Sequence, residues 1–212
     1  MIQILLNFFN YSHLPGNLPH FFRISTNKTA KTYMDQLLID LCKEGNARAQ
    51  QALYEQMANR MFRVCYRYVK NEADAEDVLI TGFTKLFQNI VCFEYRGKGS
   101  LEAWAKRIMV NEALMLLRRR HNFAKTSDQQ AQQVESTDSV IDDMEAEEIY
   151  ALILELPTGY RTVFNLYVIE GYSHKEIAER LQISENTSKS QLSKGRAMLR
   201  ELLIKQGIHY EL

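Results

Sequence analysis

From Met34 onward apolar side chains recur with the period of an amphipathic helix, and no stretch shows the strict alternation that a half-buried strand requires. Leu37, Leu38 and Leu41 mark a first helix, ended by Gly45, and Asn46 caps a second that runs through Ala49, Leu53, Met57, Met61 and Cys65 to Lys70. Asn71 caps a third. Along it Ala75, Leu79, Gly82, Phe83, Leu86 and Ile90 line one side, while Asp74, Asp77 and Thr81 line the opposite, exposed side. Ser100 caps a long helix reaching His121, with Leu101, Trp104, Ala105 and Ile108 on its packing side and Arg107, Asn111 and Arg118 on another face. Thr126 to Ser139, rich in Gln, Ser, Thr and Asp, has no apolar period and reads as a linker. Beyond it, Met144, Ile149, Leu152, Ile153 and Leu156 give a short helix stopped by Pro157; Tyr160, Val163, Phe164, Tyr167 and Val168 give another, closed by Gly171. The pattern predicts an all-α chain of two small helical domains, residues 34–122 and 142–206, joined by a flexible acidic linker over 123–141.

Residues 1–33 stand apart. Ile4, Leu5, Leu6, Phe8 and Phe9 are followed by Pro15, Gly16 and Pro19. The apolar run is too short to span a bilayer and is broken by Asn7 and Asn10, so the expectation is a disordered arm or an extension upstream of a true start at Met34, without membrane insertion.

The most informative stretch is Ser173 to Arg200, which reads as helix, tight turn and helix. Ser173 and Glu176 make an S-x-x-E capping box, in which hydroxyl and carboxylate satisfy each other's free amide donors. Ile177, Ala178 and Leu181 form one apolar face; Gln182 and Ile183 make the turn; Ser184 caps the next helix. In that helix Ser188, Leu192, Gly195 and Leu199 share a small and apolar face that suits packing against the first. Glu185, Asn186, Lys189, Ser190, Gln191, Ser193, Lys194 and Arg196 remain outside, most of them able to hydrogen-bond bases or phosphates. From Asn186 to Arg200 there are Lys189, Lys194, Arg196 and Arg200 and no acidic residue. A capped pair of helices with this charge is a DNA-binding helix-turn-helix. Lys189, Lys194 and Arg196 suit phosphates, whereas Gln191 offers the donor and acceptor that pair with an adenine edge or, equally, faces solvent or a phosphate.

Composition changes the picture little. The 212 residues are 46% hydrophobic and 10% aromatic, a globular balance, and 26 basic residues match 26 acidic ones. Affinity for nucleic acid therefore has to come from segregation: Thr126 to Tyr160 holds nine acidic residues and no Lys or Arg, while Lys106 to Lys125 holds six basic residues against the single Glu112. Cys42, Cys65 and Cys92 are scattered, which excludes a disulfide framework and metal-ligand spacing; each reads as a small core residue in a reducing compartment. The five histidines form no ligand cluster, and there is no phosphate loop or nucleophile elbow. No metal, cofactor or catalytic residue is expected. Phe93 to Gly99, by contrast, mixes aromatics, cations and glycines, a combination that suits unpaired bases.

These residues carry a resemblance. From about Leu38 to Leu203 the chain resembles the extracytoplasmic-function (ECF) type of sigma factor, the small two-domain class of RNA polymerase initiation factors. Asp74-Ala75-Glu76-Asp77 matches the D-A-E-D helix by which that family grips the polymerase clamp. Trp104, Ile108 and Asn111 match its W-x-x-x-I-x-x-N helix, which with the preceding loop melts and reads the minus-ten element. Leu156 to Phe164 matches L-P-x-G-Y-R-x-V-F, the opening of its region four, whose recognition helix reads the minus-thirty-five element. The resemblance implies polymerase contacts at Asp74, Glu76, Asp77 and Thr81. It implies minus-ten contacts at Phe93, Tyr95, Arg96, Lys98, Arg107, Asn111 and Arg118, and minus-thirty-five contacts at Ser173, Lys175, Glu185, Asn186, Thr187, Lys189, Ser190, Gln191, Lys194 and Arg196. The implied partners are core RNA polymerase and promoter DNA, with an anti-sigma protein as a further candidate, and the implied setting is the cytoplasm. The chain departs from the family in having Ile80 and Thr81 for a usual Gln-Glu pair, and Lys189-Ser190-Gln191 for a common Lys-Ser-Arg. The alternative is a helix-turn-helix regulator that binds duplex DNA without polymerase, which leaves the Phe93 to Lys98 loop unexplained. An enzyme with a DNA-binding tail has no candidate nucleophile or acid-base pair.

Overall fold

The computed structural model describes residues 28–121, 123 and 144–206. The greater part of the N-terminal extension and of the acidic linker lies outside the described residues. Among these residues the chain forms eight α-helices and no strand: α1 (Lys28–Lys43), α2 (Ala47–Val69), α3 (Glu72–Asn89), α4 (Ser100–Arg120), α5 (Met144–Glu155), α6 (Thr158–Phe164), α7 (His174–Leu181) and α8 (Glu185–Lys205). The first helix begins at Lys28, ahead of the expected Met34.

Local chemistry sets most helix ends. Asn46 Oδ1 accepts from the amides of Arg48 and Ala49, and Asn71 Oδ1 from that of Asp74, so α2 and α3 each begin on an asparagine cap. Ser100 is not a cap. Gly99, at φ 86°, holds that position, and the Ser100 hydroxyl instead donates to Gly97 O at 2.7 Å and accepts from the Arg96 amide at 3.2 Å, pinning the loop before α4.

The helices α2, α3 and α4 pack on one another around Met61, Cys65, Phe83, Leu86 and Met109, with α1 against α2. Cys42 and Cys65 lie in this core, where burial pushes their thiols up to about 11 and about 12; Cys92, expected inside as well, is exposed on the short 3-10 turn Ile90–Cys92. Helices α6, α7 and α8 make the second unit, with Ser188, Leu192, Gly195 and Leu199 all buried. A Cβ on Gly195 would sit 3.4 Å from Tyr160 Cβ, so α8 lies close against α6 as well as α7.

One predicted face is redirected. Tyr160, Val163 and Phe164 are buried as expected, but Tyr167 and Val168 are exposed and Asn165 and Leu166 are buried in their place. After Phe164 the helix widens into a π turn, Asn165–Ile169, and the wider turn rotates the inward face by about one residue.

The two units meet through polar groups. The last carbonyls of α2 have no further turn to bond, and the second unit supplies donors to two of them, Arg67 O and Tyr68 O. Arg161 donates to Tyr68 O at 3.1 Å and to its own Leu156 O at 2.7 Å; Asn165 Nδ2 donates to Arg67 O, and the Tyr150 hydroxyl to Arg63 O. Glu170 accepts from both Arg67 at 2.7 Å and Lys106 at 2.9 Å. Burial pulls Arg161 down to about 10, which leaves it charged at neutral pH.

Candidate nucleic-acid interface

The capping box closes as the sequence predicts. Ser173 Oγ accepts from the Glu176 amide, and the Glu176 carboxylate accepts from the Ser173 amide at 2.8 Å and hydroxyl at 2.7 Å, which holds the Glu176 carboxyl below its ordinary range. Gln182, in the left-handed region at φ 56°, ends α7, and Ser184 Oγ accepts from the Thr187 amide at 3.0 Å to start α8. Ser173, Lys175, Glu185, Asn186, Lys189, Ser190, Lys194 and Arg196 are exposed on this pair, and Thr187 is half-buried against Ser184. Gln191 departs from expectation: it is buried, with Nε2 donating to Phe123 O at 2.8 Å, because the end of the first unit covers that part of α8.

The loop before α4 divides its aromatics. Phe93 is buried against Trp104, ring centroids 5.0 Å apart, so it is a core residue in this conformation and not an open stacking surface. Tyr95 and Lys98 instead line a cleft of about 190 Å³ with Arg60, Glu102, Met57 and Leu101; the Tyr95 hydroxyl is buried there without a partner. Arg96 and Lys98 are exposed, Arg96 resting on Glu94. On α4, Arg107, Asn111 and Arg118 share an exposed face, yet Asn111 Oδ1 accepts from Arg180 of α7 at 2.8 Å and Arg118 donates to Arg180 O. The three arginines ending α4, with His121, Phe123, Leu181 and Gln182, surround a basic cleft of about 410 Å³ between the units.

On α3, Glu76, Asp77 and Thr81 are exposed. Asp74 is not free as expected: it is half-buried and paired with Arg120 at the end of α4. The interface residues Arg161, Asn165, Glu170 and Arg180 were missed by sequence reading. Of these only the buried Arg161 had a visible signal, a cation set among apolar positions of the L-P-x-G-Y-R stretch. Among the described residues no group of His, Cys, Asp and Glu could hold a metal ion, and no helix is long and apolar enough to cross a membrane.

A capped helix-turn-helix whose outer face is free of acidic residues between Glu185 and Glu201, joined to a helical unit with an aromatic and basic loop, defines a helical DNA-binding protein of two units. The sequence matches Sigma-70 region 2 over residues 53–123 and Sigma-70, region 4 over residues 146–199, and the chain belongs to the sigma-70 family, with relatives of the ECF kind. It is 31% identical over 164 residues to the ECF RNA polymerase sigma factor SigE of Mycolicibacterium smegmatis, covering 72% of this chain and 61% of that protein. It is 29% identical to the ECF RNA polymerase sigma factor SigW of Bacillus subtilis, over 76% of this chain and 92% of that one. The ECF RNA polymerase sigma-E factor of Haemophilus influenzae is 26% identical, over 80% and 95% respectively. A solved structure of CnrH in complex with the cytosolic domain of CnrY matches with a TM-score of 0.44 at 23% identity, over 81% of this chain and 97% of that chain.

Proposed function

We propose that this chain is an initiation factor that docks on core RNA polymerase, brings it to promoters and captures the separated non-template strand, without catalysing a reaction itself, in the cytoplasm. The observation that carries the reading is the order of its parts: a region-two unit with an acidic helix and an aromatic-basic loop, then a capped region-four helix-turn-helix. In this reading residues 34–122 form the first unit, 123–141 the linker and 142–206 the second unit. Glu76, Asp77 and Thr81 meet a basic polymerase surface, with Asp74 joining them or holding Arg120 in place. Tyr95, Arg96, Lys98, Arg107, Asn111 and Arg118 take the minus-ten strand, the cations on phosphates and Tyr95 on a base, while Phe93 supports the loop from beneath. Ser173, Lys175, Lys189, Lys194 and Arg196 hold phosphates of the minus-thirty-five duplex, and Glu185, Asn186, Thr187, Ser190 and Gln191 face the major groove. Gln191 reaches a base once it leaves Phe123 O.

Run-off transcription tests this directly. With core polymerase and a library of promoter templates, the chain should drive initiation from a defined subset, and Asp77→Lys with Glu76→Lys should abolish it while leaving stability within about 0.5 kcal/mol, as at other exposed positions. Tight, sequence-selective binding to duplex DNA with no transcript on any template would overturn the reading in favour of a polymerase-independent regulator.

A further inference from the structure

The last turn of α4 faces the helix-turn-helix across the basic cleft of about 410 Å³. One wall is Arg118, Arg119 and Arg120 with His121; the other is Leu181 and Gln182, where α7 ends. Sites for small ligands occupy about 300 to 1,000 Å³, and the cleft falls within that range.

Its charge is poorly balanced. Asp74 pairs with Arg120, but Arg118 reaches only a neutral carbonyl, Arg180 O at 3.3 Å, and Arg119 is exposed with no described carboxylate on it. The carbonyls that end α4 oppose an anion by roughly half an elementary charge, less than these two arginines supply. His121 adds a polar atom, Nε2, that is buried without a partner. A recess lined by charge of one sign focuses the field and concentrates the opposite ion, and guanidinium groups suit phosphate oxygens, which they bind through paired hydrogen bonds. Phe123 and Leu181 are each 3% exposed, so they offer no open face on which a base could stack. The open lining recognises several negative charges held close together.

We propose that this cleft binds a polyphosphate chain, free or carried by a nucleotide, which enters between the two units and holds them together. Because Arg119 comes from one unit and Gln182 from the other, a bound anion stabilises the closed arrangement as its occupancy rises. In that arrangement Asn111 accepts from Arg180 and Gln191 donates to Phe123 O, so the anion and promoter DNA compete. The competition rests on the promoter-binding reading above; the site does not.

The test is calorimetric titration of the full chain, without DNA or polymerase, with inorganic tripolyphosphate, ATP and adenosine. Tripolyphosphate and ATP should each saturate one site per chain with similar affinity, and adenosine should not bind. Arg119→Ala should weaken tripolyphosphate binding about tenfold, the size of one charge-assisted hydrogen bond. Gln182→Gly, which keeps the left-handed turn that ends α7, should weaken it severalfold. So should Glu170→Ala, which loosens the contact between the units. Lys205→Ala, exposed on the last turn of α8, should change nothing. Tripolyphosphate should also reduce binding of minus-thirty-five duplex by the parent, and less so by Arg119→Ala. The inference is overturned if tripolyphosphate does not saturate, if ATP binds far more tightly than tripolyphosphate, or if Lys205→Ala weakens binding as much as Arg119→Ala. It is overturned equally if Gln182→Gly and Glu170→Ala both bind like the parent. The expected titrations in a chain that selects no promoter would uphold the site and bring down the promoter-binding reading, and the competition with it.

Discussion

His121 ends α4 with its ring edge-on to Phe123, centroids 4.7 Å apart, and its Nε2 is buried without a partner. Burial, and after it the positive charge of Arg161, lowers its pKa below the ordinary histidine value of about 6.5. A histidine shifted this way binds its proton more readily when the chain is unfolded. Its contribution to stability is complete above the unfolded value and is lost as pH falls through that value toward the lower folded one. His174 is shifted in the same direction. The urea midpoint should therefore be lower at pH 5.5 than at pH 7.5, and in His121→Phe, which keeps the ring contact but cannot take a proton, the drop should be smaller. An equal drop in both proteins would assign the pH dependence elsewhere.

Between elements, α3 and α4 approach closely at Gly82. A Cβ on Gly82 would lie 2.2 Å from Met109 Sδ, inside any tolerable contact, and Met109 is itself fully buried. Glycine at this position lets the thioether lie across the α3 backbone. Gly82→Ala should cost about 1 to 3 kcal/mol, the usual penalty of an overpacked core. Shortening the partner in Gly82→Ala with Met109→Ala should cost less than the sum of the single changes, because the new methyl occupies space the methionine leaves. Additive losses would show that the two side chains do not compete. The same elements mark what sequence could reveal. Asn46, Asn71, Ser173 and Ser184 were legible as caps because a cap bonds amides two or three residues away, within the window a pattern covers. The roles of Ser100, Phe93, Asp74 and Gln191 were not, since each depends on a loop conformation or on a partner brought in by folding: Gly97, Trp104, Arg120 and Phe123. The π turn was illegible for another reason. A helical period assumes a constant turn, and one wider turn carries every later position onto a different face.

At the scale of the whole chain, the two units close on each other through charge. Glu170 holds Arg67 and Lys106 together, with the Glu170 side chain 10% exposed and that of Arg67 12%. Removing Glu170 leaves Arg67 enclosed and uncompensated, a loss of about 3 to 5 kcal/mol. Each unit keeps its own helix contacts, so Glu170→Ala should separate the units more readily than it unfolds them. The radius of gyration measured by X-ray scattering should rise while helicity by circular dichroism stays near that of the parent. Separation also releases two groups proposed to read DNA, Asn111 from Arg180 and Gln191 from Phe123 O. A closed population lowers apparent affinity by the fraction that is open; Glu170→Ala in the absence of polymerase should then bind minus-thirty-five duplex more tightly than the parent does. A radius unchanged in Glu170→Ala would mean that the capping of α2 by Arg161 and Asn165 holds the units together without the ion pairs.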